Sequence, residues 1–107
     1  MELVKRFDIW LTPLDPTIGS ELRKTRPCIV VSPDETNRHL NTVVVVPLTS
    51  AEHSYVFRPN FSFLDRQAQA ATDQVRVIDK SRLLSKIGEL DQTTRQEILK
   101  LLRAYFT

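Results

Sequence analysis

Thr42 to Ser50 reads TVVVVPLTS. Valine is β-branched, and successive β-branched side chains suit a pleated strand better than a helix. The apolar positions are consecutive rather than alternate, which fits a central strand buried on both faces. Proline has no amide hydrogen to give to a ladder, so Pro47 is expected at the strand's end or at a bulge. A strand of this kind needs partners on both edges, and the flanking sequence offers several.

Upstream, CIVV (Cys28 to Val31) is a second continuous apolar run of strand length. The stretch between them, SPDETNRHLN, reads as a turn region with room for one helical turn. FDIWL (Phe7 to Leu11) alternates apolar and polar residues and is closed by TPLDP, a strand followed by a turn. Downstream, YVFRP and FSFL are shorter strand candidates, and AATDQVRVID reads as a strand running into a turn. The period then changes. Asp91 is a good N-cap, and in QTTRQEILKLLRAYF the residues Ile98, Leu101, Leu102 and Tyr105 recur at helical spacing over about four turns. DKSRLLSKIGEL, before it, is expected to hold a shorter helical turn ending near Gly88. Short strands followed by a helix predict a mainly β protein with a C-terminal helix, an α+β or small-barrel fold.

Two glycines and six prolines leave no stretch that reads as a linker, so residues 1–107 are expected to form a single domain. Charged residues make up 26% and hydrophobic ones 41%, the profile of a globular chain. No apolar run approaches the ~20 residues of a membrane span. MELVKRFDIWL lacks the apolar core of a signal peptide, so a cytoplasmic location is the default expectation. Cys28 is the only cysteine, which excludes an internal disulfide, and its apolar neighbours predict a buried, inert thiol. The net charge of +2 is too mild to argue for nucleic-acid binding, which depends on local clusters of cations.

One such cluster stands out. GSELRKTRPCIVVSPD (Gly19 to Asp34) sets Arg23, Lys24, Thr25 and Arg26 against the start of a buried strand. Three blocks, DIWLTPLDPTIGSELRKTRPCIVVSPD, VVVVPLTS and TDQVRVIDKSRL, together resemble the MazF/PemK toxins of bacterial toxin–antitoxin modules, over nearly the whole chain. That resemblance implies an SH3-like, strongly curved barrel of the CcdB/MazF/PemK type. It also implies a homodimer, metal- and cofactor-independent cleavage of single-stranded mRNA at a short sequence, and neutralisation by a cognate antitoxin. The CcdB group has the same fold and blocks DNA gyrase instead; a non-catalytic toxin of that kind is the alternative reading. Two departures are visible. Phe7 stands where the family usually has glycine before the acidic residue, and Ala71 where some members carry arginine.

RNA is cleaved when its 2′-hydroxyl attacks the adjacent phosphorus and the 5′-oxygen leaves. The reaction needs a base, an acid, and donors on the phosphoryl oxygens. Arg26 is the first candidate, because a planar guanidinium suits a phosphate gaining charge. The alternative is a structural arginine paired with a carboxylate. The resemblance selects Thr49 as its partner, with Ser50 beside it; strand-end capping is the plainer role for both. It also marks Glu21 as a candidate base and Asp73 as the competing carboxylate. Ser20, Arg23, Lys24 and Thr25 belong to a loop, residues 17–25, expected to be a flexible gate over RNA. Gln74 and Arg76 are expected to line the RNA groove, Gln74 reading a base edge. Asp79 and Arg82 fit a surface ion-pair network better, and Trp10 a core or dimer seam. His39 and His53 fall in no motif, and a paired-histidine mechanism is disfavoured.

Overall fold

The computed structural model describes residues 3–50 and 54–107; His53 lies outside them. The valine run forms β3, Thr42–Ser50, with the bounds its sequence predicts. Around it are β1 (Asp8–Pro13), β2 (Thr25–Val30), β4 (Asn60–Phe63), β5 (Arg66–Ala70), β6 (Arg76–Asp79) and β7 (Ser85–Glu89). A short helix α1 (Asp34–His39) joins β2 to β3, and α2 (Gln92–Tyr105) ends the chain. Single 3-10 turns occupy Thr72–Gln74 and Lys80–Arg82.

The strands pair antiparallel in the order β4-β5-β3-β2-β1-β7, with β6 also on β3. One edge of β3 meets β2, pairing Val45 with Val30 and Pro47 with Cys28. Its other edge changes partner midway. Thr42–Val45 pair with β6, and Leu48–Ser50 pair with β5. Pro47 sits between these two ladders, where its missing amide hydrogen breaks no bond, and its carbonyl still accepts from the Ala71 amide at 2.9 Å. The switch curls the sheet around β3.

The curl gives β3 two covered faces. Val43 and Val45 join Trp10, Cys28, Val30 and Ile78 in one core, and Val46 and Leu48 join Ile9, Ile29, Leu90 and Ile98 in another. This is why the valines run unbroken rather than alternate. α2 lays Ile98 and Leu102 on the second core. Its start is set by Asp91, whose carboxylate accepts from the Thr94 amide at 2.9 Å and the Thr94 hydroxyl at 2.7 Å. Trp10 is buried in the first core, and its indole N–H donates to Asp8 at 3.4 Å.

Four expectations need correction. The helical turn expected in DKSRLLSKIGEL is the 3-10 turn Lys80–Arg82, but it does not run on toward Gly88, because Ser85–Glu89 is strand β7. Gly88 is there because the Phe63 ring lies so close that a β-carbon would stand 2.8 Å from its edge. YVFRP contributes only an isolated bridge between Tyr55 and Arg58. Among the described residues, Asp79 and Arg82 form no ion-pair network. Asp79 accepts from the Ser81 amide, while Arg82 Nη1 donates to the carbonyls of Pro13, Leu14 and Asp15. Finally, the loop expected to gate the site over residues 17–25 ends before Thr25, and hydrogen bonds cross its neck. Leu14 and Lys24 pair through their backbones at 3.0 Å, Asp15 accepts from the Lys24 amide at 3.0 Å, and Thr25 already belongs to β2.

Phe7 explains its own departure from glycine. Its φ is +73°, in the region glycine favours. Its ring compensates by packing on the second core with the guanidinium groups of Arg6 and Arg95 at 5.4 and 5.1 Å from its centre. Its amide and carbonyl tie to Val30 and Leu90.

Candidate functional site

The register carries a polar row across the sheet. Thr12 faces Arg26 between β1 and β2, Thr49 faces Gln69 between β3 and β5, and Gln69 faces Asn60 between β4 and β5. Continuing the Cys28–Pro47 register by two residues sets Arg26 opposite Thr49. Directly opposed residues share a face of the sheet, so the row is one polar band laid across apolar strands. Thr12 and Gln69 are buried within it, and Arg26 and Thr49 are half-buried.

Arg26 is held at two points. Its Nε donates to the Arg23 carbonyl at 2.8 Å, and Nη1 donates to Thr49 Oγ1 at 3.3 Å. The first contact comes from the loop before β2 and the second from the neighbouring strand, so the plane of the guanidinium is fixed from both sides. Two contacts leave it further N–H donors. Arg26 and Thr49 border a concavity of about 650 Å³, floored by Leu48, Phe63 and Ala68 and rimmed by Lys24, Thr25, Ser50 and Arg66. Three cationic side chains therefore share one hollow with an apolar floor. That combination can hold a phosphate against the rim and a flat ring against the floor.

A second, polar concavity of about 500 Å³ is lined by Ser20, Glu21, Pro47, Asp73, Gln74 and Arg76. The expected site residues thus divide between two hollows. Glu21 does not meet Arg26 or Thr49; its carboxylate accepts from the Ile18 amide at 2.6 Å and closes its own loop. Gln74 turns both ends of its carboxamide onto the loop. Its Oε1 accepts from the Leu22 amide at 2.6 Å and its Nε2 donates to the Ser20 carbonyl at 3.2 Å. Arg76 Nη1 donates to the Leu14 carbonyl at 3.2 Å.

Asp73 is paired with Arg58 through two parallel bonds of 2.8 Å. The bonds to Arg58 hold its carboxyl below the usual aspartate value, which makes it a weaker base. Sequence reasoning missed Arg58, which lies in a stretch without any motif. It missed Arg66 for the same reason. Between the hollows, the Cys28 thiol is fully buried. Burial pushes it up to about 11, outweighing the Thr12 hydroxyl and the nearby charges of Arg76 and Arg26. Among the described residues, no three His, Cys, Asp or Glu side chains gather in a way that would hold a metal ion. No described helix is long and apolar enough to cross a membrane.

Comparison with known proteins fits this geometry. The model of the PemK-like, MazF-like toxins of type II toxin–antitoxin systems matches residues 5–106. Endoribonuclease EndoA of Bacillus subtilis (strain 168) is 31% identical over 103 residues, covering 90% of this chain and 88% of that protein. The crystal structure of MazF from Deinococcus radiodurans superposes with a TM-score of 0.87 at 21% identity, over 98% of this chain and 97% of that one. An endoribonuclease from Mycobacterial species, in complex with its cognate antitoxin, superposes with a TM-score of 0.79 at 22% identity, over 94% and 92% of the two chains. With a curled sheet, a closing C-terminal helix and a family match over almost its full length, this chain belongs to the PemK-like, MazF-like toxins of type II toxin–antitoxin systems.

Proposed function

We propose that this chain is an endoribonuclease toxin that cleaves single-stranded mRNA at a short sequence, without a metal, in the cytoplasm. The observation that carries the reading is the Arg26–Thr49 contact at 3.3 Å on the rim of a cationic hollow. In the proposed step the RNA 2′-hydroxyl gives its proton to solvent water as it attacks the adjacent phosphorus, the bond to the 5′-oxygen breaks, that oxygen takes a proton from water, and the products carry a 2′,3′-cyclic phosphate and a 5′-hydroxyl. A guanidinium keeps its protons at neutral pH. Arg26 therefore stabilises the developing charge on the phosphoryl and leaving oxygens by hydrogen bonding, without giving up a proton, and Thr49 adds a hydroxyl donor from a rigid strand. Lys24 and Arg66 hold flanking phosphates, and Phe63 offers a face for an unstacked base. The base on the 2′-hydroxyl is not assigned to Asp73, which its arginine partner makes a poor acceptor of protons.

The antitoxin reading rests on the same hollow. An acidic segment seated among Lys24, Arg26 and Arg66 would exclude RNA by charge and by volume. The homodimer reading rests on a different surface. An apolar hollow of about 670 Å³ runs between β3, β6 and the end of α2. Around it Leu40, Val77 and Phe106 are 51%, 61% and 77% exposed, an apolar surface that a second copy would cover.

The test is incubation of a long unstructured RNA with catalytic amounts of protein and excess EDTA, followed by end mapping. Cleavage at a recurring short sequence with cyclic-phosphate ends supports the reading. Intact RNA defeats it and favours a toxin that acts on a protein target. Sedimentation of the pure protein tests the dimer.

A further inference from the structure

We propose that Arg58 is a positioning residue for Arg26, acting through the Thr72–Gln74 turn and the Ser20–Arg23 loop; this rests on the cleavage reading above. The contacts form a continuous series. Arg58 grips Asp73 with Nε and Nη2 of its guanidinium. Gln74, the next residue, uses both ends of its carboxamide on the loop, taking the Leu22 amide and donating to the Ser20 carbonyl. The carbonyl of Arg23, one residue beyond Leu22, receives Arg26 Nε at 2.8 Å. Arg26 Nη1 then meets Thr49.

The turn in the middle is short and relies on contacts from outside it. It spans three residues, has no side-chain cap, and its own backbone bonds are Gln74 to Ala71 at 2.9 Å and Val75 to Thr72 at 3.4 Å. Besides the Ala71 amide on the Pro47 carbonyl, it is held from residues Tyr55 to Arg58. There Arg58 stacks over the Tyr55 ring at 5.4 Å, Tyr55 stacks on Phe57 at 5.1 Å, and the Thr72 hydroxyl donates to the Phe57 carbonyl. A planar fork on a carboxylate fixes angle as well as distance, which a single charge contact does not. Asp73 and Gln74 are adjacent, so a carboxylate released from Arg58 lets the carboxamide swing away from the loop. The loop then loses its bonds to the turn, held only by Leu22 on the first core and by Lys24, and the Arg23 carbonyl aims Arg26 less closely.

The experiment joins two readouts. The first is amide hydrogen exchange at Leu22, which needs no RNA and so tests the coupling even if the chain proves not to cleave. Arg58→Met and Gln74→Leu are each expected to speed Leu22 exchange by about 10-fold or more, while amides of β3 hold their protection. The second is the split between kcat and KM on a short RNA. Misaimed Arg26 is expected to lower kcat by roughly 10- to 100-fold in Arg58→Met, with KM within about 2-fold of wild type. The double variant is expected to be no worse than the poorer single, because both act through one series. Arg58→Lys keeps the charge without the fork and is expected to fall between; it also serves if Arg58→Met fails to fold. Unchanged Leu22 exchange in Arg58→Met or Arg58→Lys overturns the coupling. Unchanged kcat with raised exchange overturns its bearing on Arg26, and additive losses in the double variant overturn the shared route.

Discussion

Arg26 Nη1 and Thr49 Oγ1 stand 3.3 Å apart although 23 positions separate the two residues in the chain. Antiparallel register brings them together, and the Arg23 carbonyl fixes the guanidinium from the other side. On the proposed mechanism, Arg26→Ala lowers cleavage by roughly 10²–10³-fold, the scale of losing one charge-stabilising donor. Arg26→Lys falls between, because an ammonium cannot hold both contacts in one plane. Single-turnover rates on a short RNA check this, and full activity in folded Arg26→Ala removes the assignment.

The Arg58–Asp73 pair makes part of the stability depend on acid. The hydrogen bonds from Arg58 lower the Asp73 carboxyl from its ordinary value of 3.8. A depressed acid contributes stability that is fully present above its unfolded value and is lost as pH falls through the folded one. Wild-type stability is therefore expected to drop as pH falls below about 4, and Asp73→Asn to drop less over the same range. Urea midpoints between pH 6 and pH 3 measure the difference, and parallel curves would remove the pair from the account.

Phe7 tests backbone strain against packing. A β-branched side chain at φ +73° is a poor fit, whereas glycine is at ease there but forfeits the ring between Arg6 and Arg95. Phe7→Val is expected to lose about 2 kcal/mol or more, and Phe7→Gly to remain within about 1 kcal/mol of wild type. Thermal or urea denaturation gives the order, and a Val variant as stable as Gly contradicts it.

Cys28 is fully buried, and its thiol is pushed up to about 11. At neutral pH the folded protein is expected to leave a thiol-specific reagent unconsumed, and the unfolded chain to take up one equivalent. Rapid labelling of the native protein would show that the first core opens.

Removing the α2 cap should be costly in proportion to its two bonds. Asp91→Ala leaves the Thr94 amide without its acceptor and is expected to cost about 1 kcal/mol, seen as a fall of roughly 4–8 °C in Tm. Asp91→Asn or Asp91→Ser, which cap well, should recover most of it. Calorimetry decides.

Signals carried by neighbouring residues were legible from the chain alone. The bounds of β3 follow from TVVVVPLTS, and the start of α2 from Asp91, because propensity and capping act over a few positions. The curved barrel type followed from a resemblance spread over three blocks. β5 left no trace in RQAQA, whose residues alternate without bulk, and β7 was hidden because Gly88 marks equally well a helix stop and a close approach. Arg58 was invisible for a related reason: nothing near it announces Asp73, 15 positions on.

By itself, then, the sequence determined which segments extend, where the last helix begins, and which side chains could meet a phosphate. Tertiary structure decided which of those side chains meet each other. It joined Arg26 to Thr49, turned Glu21 back on its own loop, and gave Asp73 to Arg58. The physical reason is range. Propensities and caps are settled within a turn or two of chain, whereas hydrogen-bond partners are chosen by register, and register is known only once the sheet has curled around β3.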